Sequence, residues 1–394
     1  MTTALELLRQ GRRDEIWKKY CGFIDLSLKE FTEIQKHLLM EQIDLLSKCE
    51  LGRHVLGGRT PSSVEEFRQT VPLTTYEDYA PYLLEKREDV LPAKPMFWAR
   101  TSGRSGHYEF KWIPFPEGVF WAQLHEFFST FVFASSRERG DFTLREHDKF
   151  LYCLAPPPYG SGWIPYHLPQ VFPFDFIPPA EEAENMSFEE RMREGFRLAL
   201  EEGLDVFLGI GSVLVRVGEQ FATQSGEVRL PSPFSQPRSF LRLMRGALRS
   251  KLARRAMLPR DIWDIKGIVI TGTDSSIYRD EIERYWGVAP VEFYGATELH
   301  IVAMQTWDRE GMTFVPSANF LEFIPQEEYL KAENEPGYQP HTVPLDDVEA
   351  GKVYELVATN FMGGPFVRYR VRDLIRITSL RNENLDIDIP QMVF

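Results

Sequence analysis

Phe31, Ile34, Leu38 and Leu45 recur at near-helical spacing behind Ser27-Leu28-Lys29-Glu30. That tetrad is a capping box, in which hydroxyl and carboxylate satisfy the orphan N–H groups of a first turn, so a helix is predicted towards Cys49. Gly52, Gly57 and Gly58 close the region, and Ser62 to Leu84 reads as helix, a short extended V-P-L-T-T and a second helix. Leu91 to Pro95 (L-P-A-K-P) then leads into a Gly-rich loop. Lys149 to Leu154 and Asp205 to Ile210 read as buried strands, with the A-P-P-P-Y-G loop of Ala155 to Gly160 between them. Ser187 to Glu202 and Gly211 to Gln224 carry helical patterns. Ile265 to Thr271 is apolar and β-branched, whereas Asn319 to Ile324 and Val353 to Thr359 alternate, which are strand signals. Strands interleaved with helices predict an α/β fold with mixed β-sheets flanked by helices.

Arg238 to Met257 is a basic helical stretch, with Arg242, Arg245, Arg249, Arg254 and Arg255 around Leu241, Leu248 and Leu252. The expectation is a solvated face packed through its leucines; the other reading, a surface for RNA, membrane or an acidic partner, predicts salt-sensitive association. Lys331 to Pro344 is polar and turn-rich, a surface loop.

A chain of 394 residues with 43% hydrophobic content buries a large core, enough for two or three domains or one subdivided unit. The net charge of -13 argues against a general binder of nucleic acid or anionic membrane, since phosphate backbones reward clustered Lys and Arg. Small anionic ligands remain compatible with it. Cys21, Cys49 and Cys153 show neither disulfide nor zinc spacing, the N-terminus carries charges too early for a signal peptide, and no run reaches the ~18 apolar residues of a membrane span. A soluble, cytoplasmic protein is expected.

Four segments carry candidate chemistry. Val291 to Glu298 (V-E-F-Y-G-A-T-E) ends a strand-like run in a small-residue turn that presents a hydroxyl and a carboxylate together. By itself it reads equally as a strand, a turn and a helix start. Thr101-Ser102-Gly103-Arg104-Ser105-Gly106 combines glycines that let backbone approach a ligand with hydroxyls and a guanidinium that donate to phosphate. Its spacing is not that of a P-loop. Thr271 to Ser276 (T-G-T-D-S-S) follows a predicted strand, where open parallel sheets place ligand loops; the bland reading is a capped helix start. Arg368 to Asp373 (R-Y-R-V-R-D) is either a strand with salt bridges or the carrier of an Asp for ribose hydroxyls.

In this order and spacing, the four segments resemble the acyl-adenylate-forming superfamily of acyl-CoA synthetases and adenylation domains. Phe67 to Asp78 (F-R-Q-T-V-P-L-T-T-Y-E-D), Pro316 to Pro325 (P-S-A-N-F-L-E-F-I-P) and Gly351 to Val357 (G-K-V-Y-E-L-V) are similar to the plant auxin-responsive acyl-acid amidosynthetases and their bacterial relatives. Phe366 to Asp373 looks more like phenylacetate-CoA ligases. The resemblance covers roughly Phe67 to Ile377. It implies an ATP- and Mg2+-dependent enzyme that joins a carboxylic acid to AMP and then passes the acyl group to CoA or to an amino acid or other amine. It further implies that Thr101, Ser102, Gly103, Ser105 and Gly106 cover the ATP phosphates, with Gly272, Thr273 and Asp274 on the adenine side. Tyr294, Gly295 and Ala296 would lie at the base and ribose, Thr297 at the α-phosphate, Glu298 on magnesium and Asp373 on the ribose.

Arg104 departs from the Thr or Ser usual there and is expected to reach the β- or γ-phosphate; the lysine that usually follows the loop is displaced to Lys111. The acyl pocket is placed by position at Tyr159, Trp163, Tyr166, Ser212, Val215 and Phe293. His300 is as well suited to a pocket wall as to acid–base work. Residues 1–377 are expected to form the large adenylate-forming domain, with 1–90 a helical lead-in. Residues 378–394 approach the hinge that in relatives precedes a small lysine-bearing domain, which is expected to be missing and its transfer step impaired. The rival reading is a catalytically silent module that binds nucleotide and acyl group.

Overall fold

Strand β7 (Val291–Ala296) is where the sheet changes sense in the computed structural model, which describes residues 3–101, 108–224, 236–272, 275–335 and 337–394. On one side of it lie β3 (Lys149–Tyr152), β4 (Asp175–Ile177), β5 (Val206–Gly209) and β6 (Gly267–Ile270), all parallel, in the order β4-β3-β5-β6-β7. On the other side the pairings are antiparallel through β8 (His300–Met304), β9 (Met312–Phe314), β14 (Gln391–Val393), β13 (Tyr369–Ser379), β12 (Val353–Asn360), β10 (Asn319–Pro325) and β11 (Val343–Pro344). These twelve strands form one mixed sheet flanked by helices. β1 (Pro95–Arg100) and β2 (Trp112–Pro116) make a separate antiparallel pair.

Helix Glu117–Ala134 is apolar on nearly every side, so it is buried, with Phe120, Phe128, Phe131 and Phe133 in the main core. A second core lies against the parallel strands, where Trp263 and Trp286 stack at 5.8 Å. Helix Leu28–Ser47 carries the capping box its sequence predicts and buries two glutamines. Gln35 Nε2 donates to the Asn319 carbonyl (2.6 Å), and Gln42 joins Gly363 and Gly364.

The alternating strands β10 and β12 are buried on both faces. Their polar positions are neutralised internally: Glu322 takes both arms of Arg368 (3.0 Å each), and Glu355 takes both arms of Arg370. The same Arg368 donates to the carbonyls of Arg68 and Val71, and the Thr74 amide donates to the Arg368 carbonyl. The V-P-L-T-T segment is thereby tied to β13.

The basic helix spans Pro237–Leu252 and packs opposite to expectation: Ser239, Leu243, Gly246 and Ser250 face inward, while Leu241, Leu248 and Leu252 are exposed. Small residues permit the close approach, since a Cβ on Gly246 would sit 2.9 Å from the Met257 sulfur. Three of its arginines are engaged: Arg242 donates to the terminal carbonyls of helix Phe188–Glu202, and Arg245 and Arg249 pair with Asp264. Among the described residues no helix is long and apolar enough to cross a membrane.

Candidate active site

V-E-F-Y-G-A-T-E forms a β-hairpin rather than a strand running into a helix. β7 turns through Thr297 to Leu299 and returns as β8, with a register shift at Tyr294/Gly295. Glycine is required there, because a Cβ on Gly295 would lie 2.3 Å from the His300 carbonyl oxygen. The turn is fixed from behind. Asn319 Nδ2 donates to the Leu299 carbonyl (2.7 Å), and Asn360 Nδ2 donates to the Glu298 carbonyl (3.0 Å) and to Asn319 Oδ1 (2.8 Å).

At the tip, Glu298 is 6% exposed, and Lys111 Nζ lies 2.9 Å from its Oε1. Lys111 also donates to the Tyr369 hydroxyl (2.9 Å), which reaches the same Oε1 at 3.4 Å, so both contacts fall on one carboxylate oxygen. Burial and the Glu298 charge push the Tyr369 phenol far above its ordinary range, keeping it a neutral donor. Lys111 is braced in turn: Thr101 N donates to its carbonyl, and its amide donates to Thr101 Oγ1. Ser102, Gly103, Arg104, Ser105 and Gly106 lie outside the described residues, as do Thr273 and Asp274.

Across the cleft, the Tyr294 hydroxyl donates to Asp373 Oδ2 at 2.8 Å, and its ring packs on Phe394 at 4.8 Å. Burial raises the Asp373 carboxyl; the Tyr294 hydrogen bond and Lys111 pull it down, and Glu298 pushes it up. Thr101, Lys111, Gly272, Tyr294, Glu298 and Asp373 thus line one cleft of about 440 Å3. R-Y-R-V-R-D carries the salt bridges of its first reading, through Arg368 and Arg370, and its Asp373 lines the cleft.

A second cleft, of about 510 Å3, shares Thr271, Phe293, Gly295, Ala296 and Thr297 with the first and continues past Tyr159, Phe115 and Phe127. Of the residues placed in an acyl pocket by position, Tyr159 and Phe293 line it. Trp163 stacks on Phe97 at 4.6 Å, and Tyr166 lines a neighbouring small cavity with its hydroxyl on Glu184. Ser212 is exposed and Val215 lies in the second core. His300 lines the second cleft fully buried, its pKa drawn down to about 3 by burial, so it is a neutral wall.

Sequence reading missed the roles of Lys111, Asn319 and Asn360 in holding the turn, and Gln123 and Arg191 in the second cleft. Arg191 had a signal: with Gly195 and Ala199 it repeats every four residues on the buried face of its helix.

Residues 21–154 match the GH3 family N-terminal domain, and residues 312–394 match the GH3 family central domain. The chain belongs to the GH3 family. Two GH3 relatives are a jasmonoyl–L-amino acid synthetase of Oryza sativa subsp. japonica, 31% identical over 121 residues (28% of this chain, 20% of the relative), and an indole-3-acetic acid-amido synthetase of Arabidopsis thaliana, also 31% over 121 residues (29% and 19%). The matched segment spans about a fifth of the length of these curated relatives. Among solved structures, the GH3.15 acyl acid amido synthetase superposes with a TM-score of 0.62 at 17% identity, over 100% of this chain and 71% of that one. 2-Hydroxyisobutyryl-CoA ligase in its postadenylation state gives 0.63 at 13%, over 93% and 67%. The GH3 chain shares their fold, that of adenylate-forming enzymes.

Proposed function

We propose that this GH3 chain activates a carboxylic acid with ATP, giving an acyl-adenylate and pyrophosphate for transfer to an amine or a thiol. The observation that carries this is the shared wall: Gly295 to Thr297 border both the cleft lined by Asp373 and Glu298 and the aromatic cleft. A nucleotide in the first and an acid in the second meet at Thr297. Asp373 accepts from ribose hydroxyls with Tyr294 orienting it, and Gly272 and Thr101 border the same cleft. Thr297 donates to the α-phosphate.

Magnesium fits Glu298, whose Oε2 accepts no hydrogen bond from the described residues while Oε1 is held by Lys111. The ion accepts a single carboxylate when phosphate oxygens and water complete its shell. When bound it spreads the charge of the phosphates. Lys111 adds a fixed positive charge that costs no reorganisation during reaction. The acid arrives ionised, so in-line attack on phosphorus needs positioning rather than a base, consistent with a neutral His300. The named activities of the two plant relatives favour an amine as acceptor; the CoA ligase of similar fold keeps a thiol as the second reading.

The test is carboxylate-dependent ATP–pyrophosphate exchange over a panel of acids. Exchange with at least one acid is expected. Saturable ATP binding with no exchange from any acid would establish the silent binding module instead.

A further inference from the structure

Arg191 is 7% exposed and has no carboxylate partner among the described residues. Its Nε makes no hydrogen bond with the described residues, and its Cζ lies 6.0 Å from the centroid of the Phe188 ring. Its charged neighbours would be Cys153 and Tyr152, yet burial raises both, so each is neutral. A guanidinium keeps its charge in any protein setting, and here only Nε is fully enclosed without a partner, so the two Nη groups are left to take an acceptor from the cleft. It lines the second cleft together with two more unpaired buried atoms, Gln123 Oε1 and His300 Nδ1. An apolar acid would fill this space and leave all three unsatisfied.

Position separates Arg191 from the reacting end. The wall common to both clefts is Thr271, Phe293 and Gly295 to Thr297; Arg191 is on neither that wall nor the nucleotide cleft, and its far side borders the small cavity beyond Tyr152. Resting on the adenylation reading, we propose that the acid carries a second carboxylate, distal to the reacting one, which pairs with Arg191. Gln123 adds a polar atom to a cleft otherwise walled by Phe115, Phe127 and Phe293, and His300 lies at the shared wall, paired with Ala296 across the hairpin. The substrate class is therefore a dicarboxylic acid.

Two matched pairs test this, terephthalate against benzoate and adipate against hexanoate, with the wild type, Arg191→Leu and Arg191→Lys. In exchange, the wild type favours each dicarboxylate, and Arg191→Leu lowers the dicarboxylate-to-monocarboxylate ratio of kcat/KM by about a hundredfold, with Arg191→Lys between. A ratio that Arg191→Leu leaves unchanged overturns the proposal, including the case in which both acids lose equally, which would place Arg191 at the reacting carboxylate. Thermal shift without ATP is the independent arm. Terephthalate raises the melting temperature of the wild type more than benzoate does, and Arg191→Leu abolishes the difference while raising the unliganded melting temperature by removing an unpaired charge. Absence of exchange with every acid would sink the adenylation reading alone, and the thermal arm would still decide the role of Arg191: equal shifts by terephthalate and benzoate in the wild type overturn it.

Discussion

The Lys111 ammonium lies 2.9 Å from Glu298 Oε1, joining the residue just before β2 to the tip of the β7–β8 hairpin, 187 residues later. Both groups are almost fully buried, so removing either partner leaves a stranded charge. Lys111→Met is expected to cost about 3–5 kcal/mol of stability and to slow pyrophosphate exchange by about a hundredfold or more. The double variant Lys111→Met/Glu298→Gln recovers much of the stability and none of the exchange. Urea unfolding and the exchange assay measure the two effects separately.

Gly295 is a steric requirement. Because its Cβ would lie 2.3 Å from the His300 carbonyl oxygen, Gly295→Ala forces the hairpin apart and is expected to lose more than about 3 kcal/mol. Gly351→Ala is the control, since Gly351 has φ +83° but open space around it, and only the conformational cost of about 1 kcal/mol applies. Comparable losses in denaturant titrations of the two variants would show that crowding at Gly295 is relieved by local movement.

Asn360 bridges the Glu298 carbonyl, Asn319 Oδ1 and the Phe366 amide. Asn360→Ala orphans buried groups at about 1–3 kcal/mol each and loosens the turn that carries Thr297 and Glu298. Exchange should fall about tenfold in kcat with little change in the KM for ATP. A fall seen only in KM would assign Asn360 to nucleotide binding.

Glu126 is buried in helix Glu117–Ala134, and among the described residues its side-chain partner is the Ser317 hydroxyl at 3.2 Å. Burial raises its pKa to about 8, with the Ser317 hydrogen bond opposing. The folded state therefore binds this proton more tightly than the unfolded one. Its contribution is fully present below the ordinary value of 4.5 and is lost as pH rises through about 8. Relative to Glu126→Gln, the wild type should lose stability between pH 5 and pH 8, read by urea unfolding at the two values. Parallel curves for the two proteins would show Glu126 ionised throughout.

Helix boundaries were legible in the sequence because caps are local: Ser27 and Ser187 each announce a helix through a Glu three residues on, and both boxes form. The hairpin was not. Ala296 to Leu299 has the composition of a helix start, and what closes it into a turn are Asn319 and Asn360, well separated along the chain. Likewise the alternation of β10 and β12 does not show that Glu322 and Glu355 are buried, because Arg368 and Arg370, which neutralise them, lie elsewhere in the chain. Arg242 reads as surface charge for the same reason, its acceptors being the terminal carbonyls of a helix about 40 residues earlier. Asp373 and Tyr294 could be named from their motifs, but not their 2.8 Å contact, which depends on β13 and β7 reaching the same cleft.

The wall shared by the two clefts has an energetic corollary. If the chain activates an acid as proposed, an acid that displaces Phe293 or Ala296 would also move the surface against which the nucleotide sits, so the two ligands would sense one another. Linkage makes that influence mutual: the factor by which a given acid tightens or weakens ATP is the factor by which ATP changes the affinity for that acid. Acids that fit the wall poorly would then be discriminated against even before any bond is made, through the nucleotide they fail to retain.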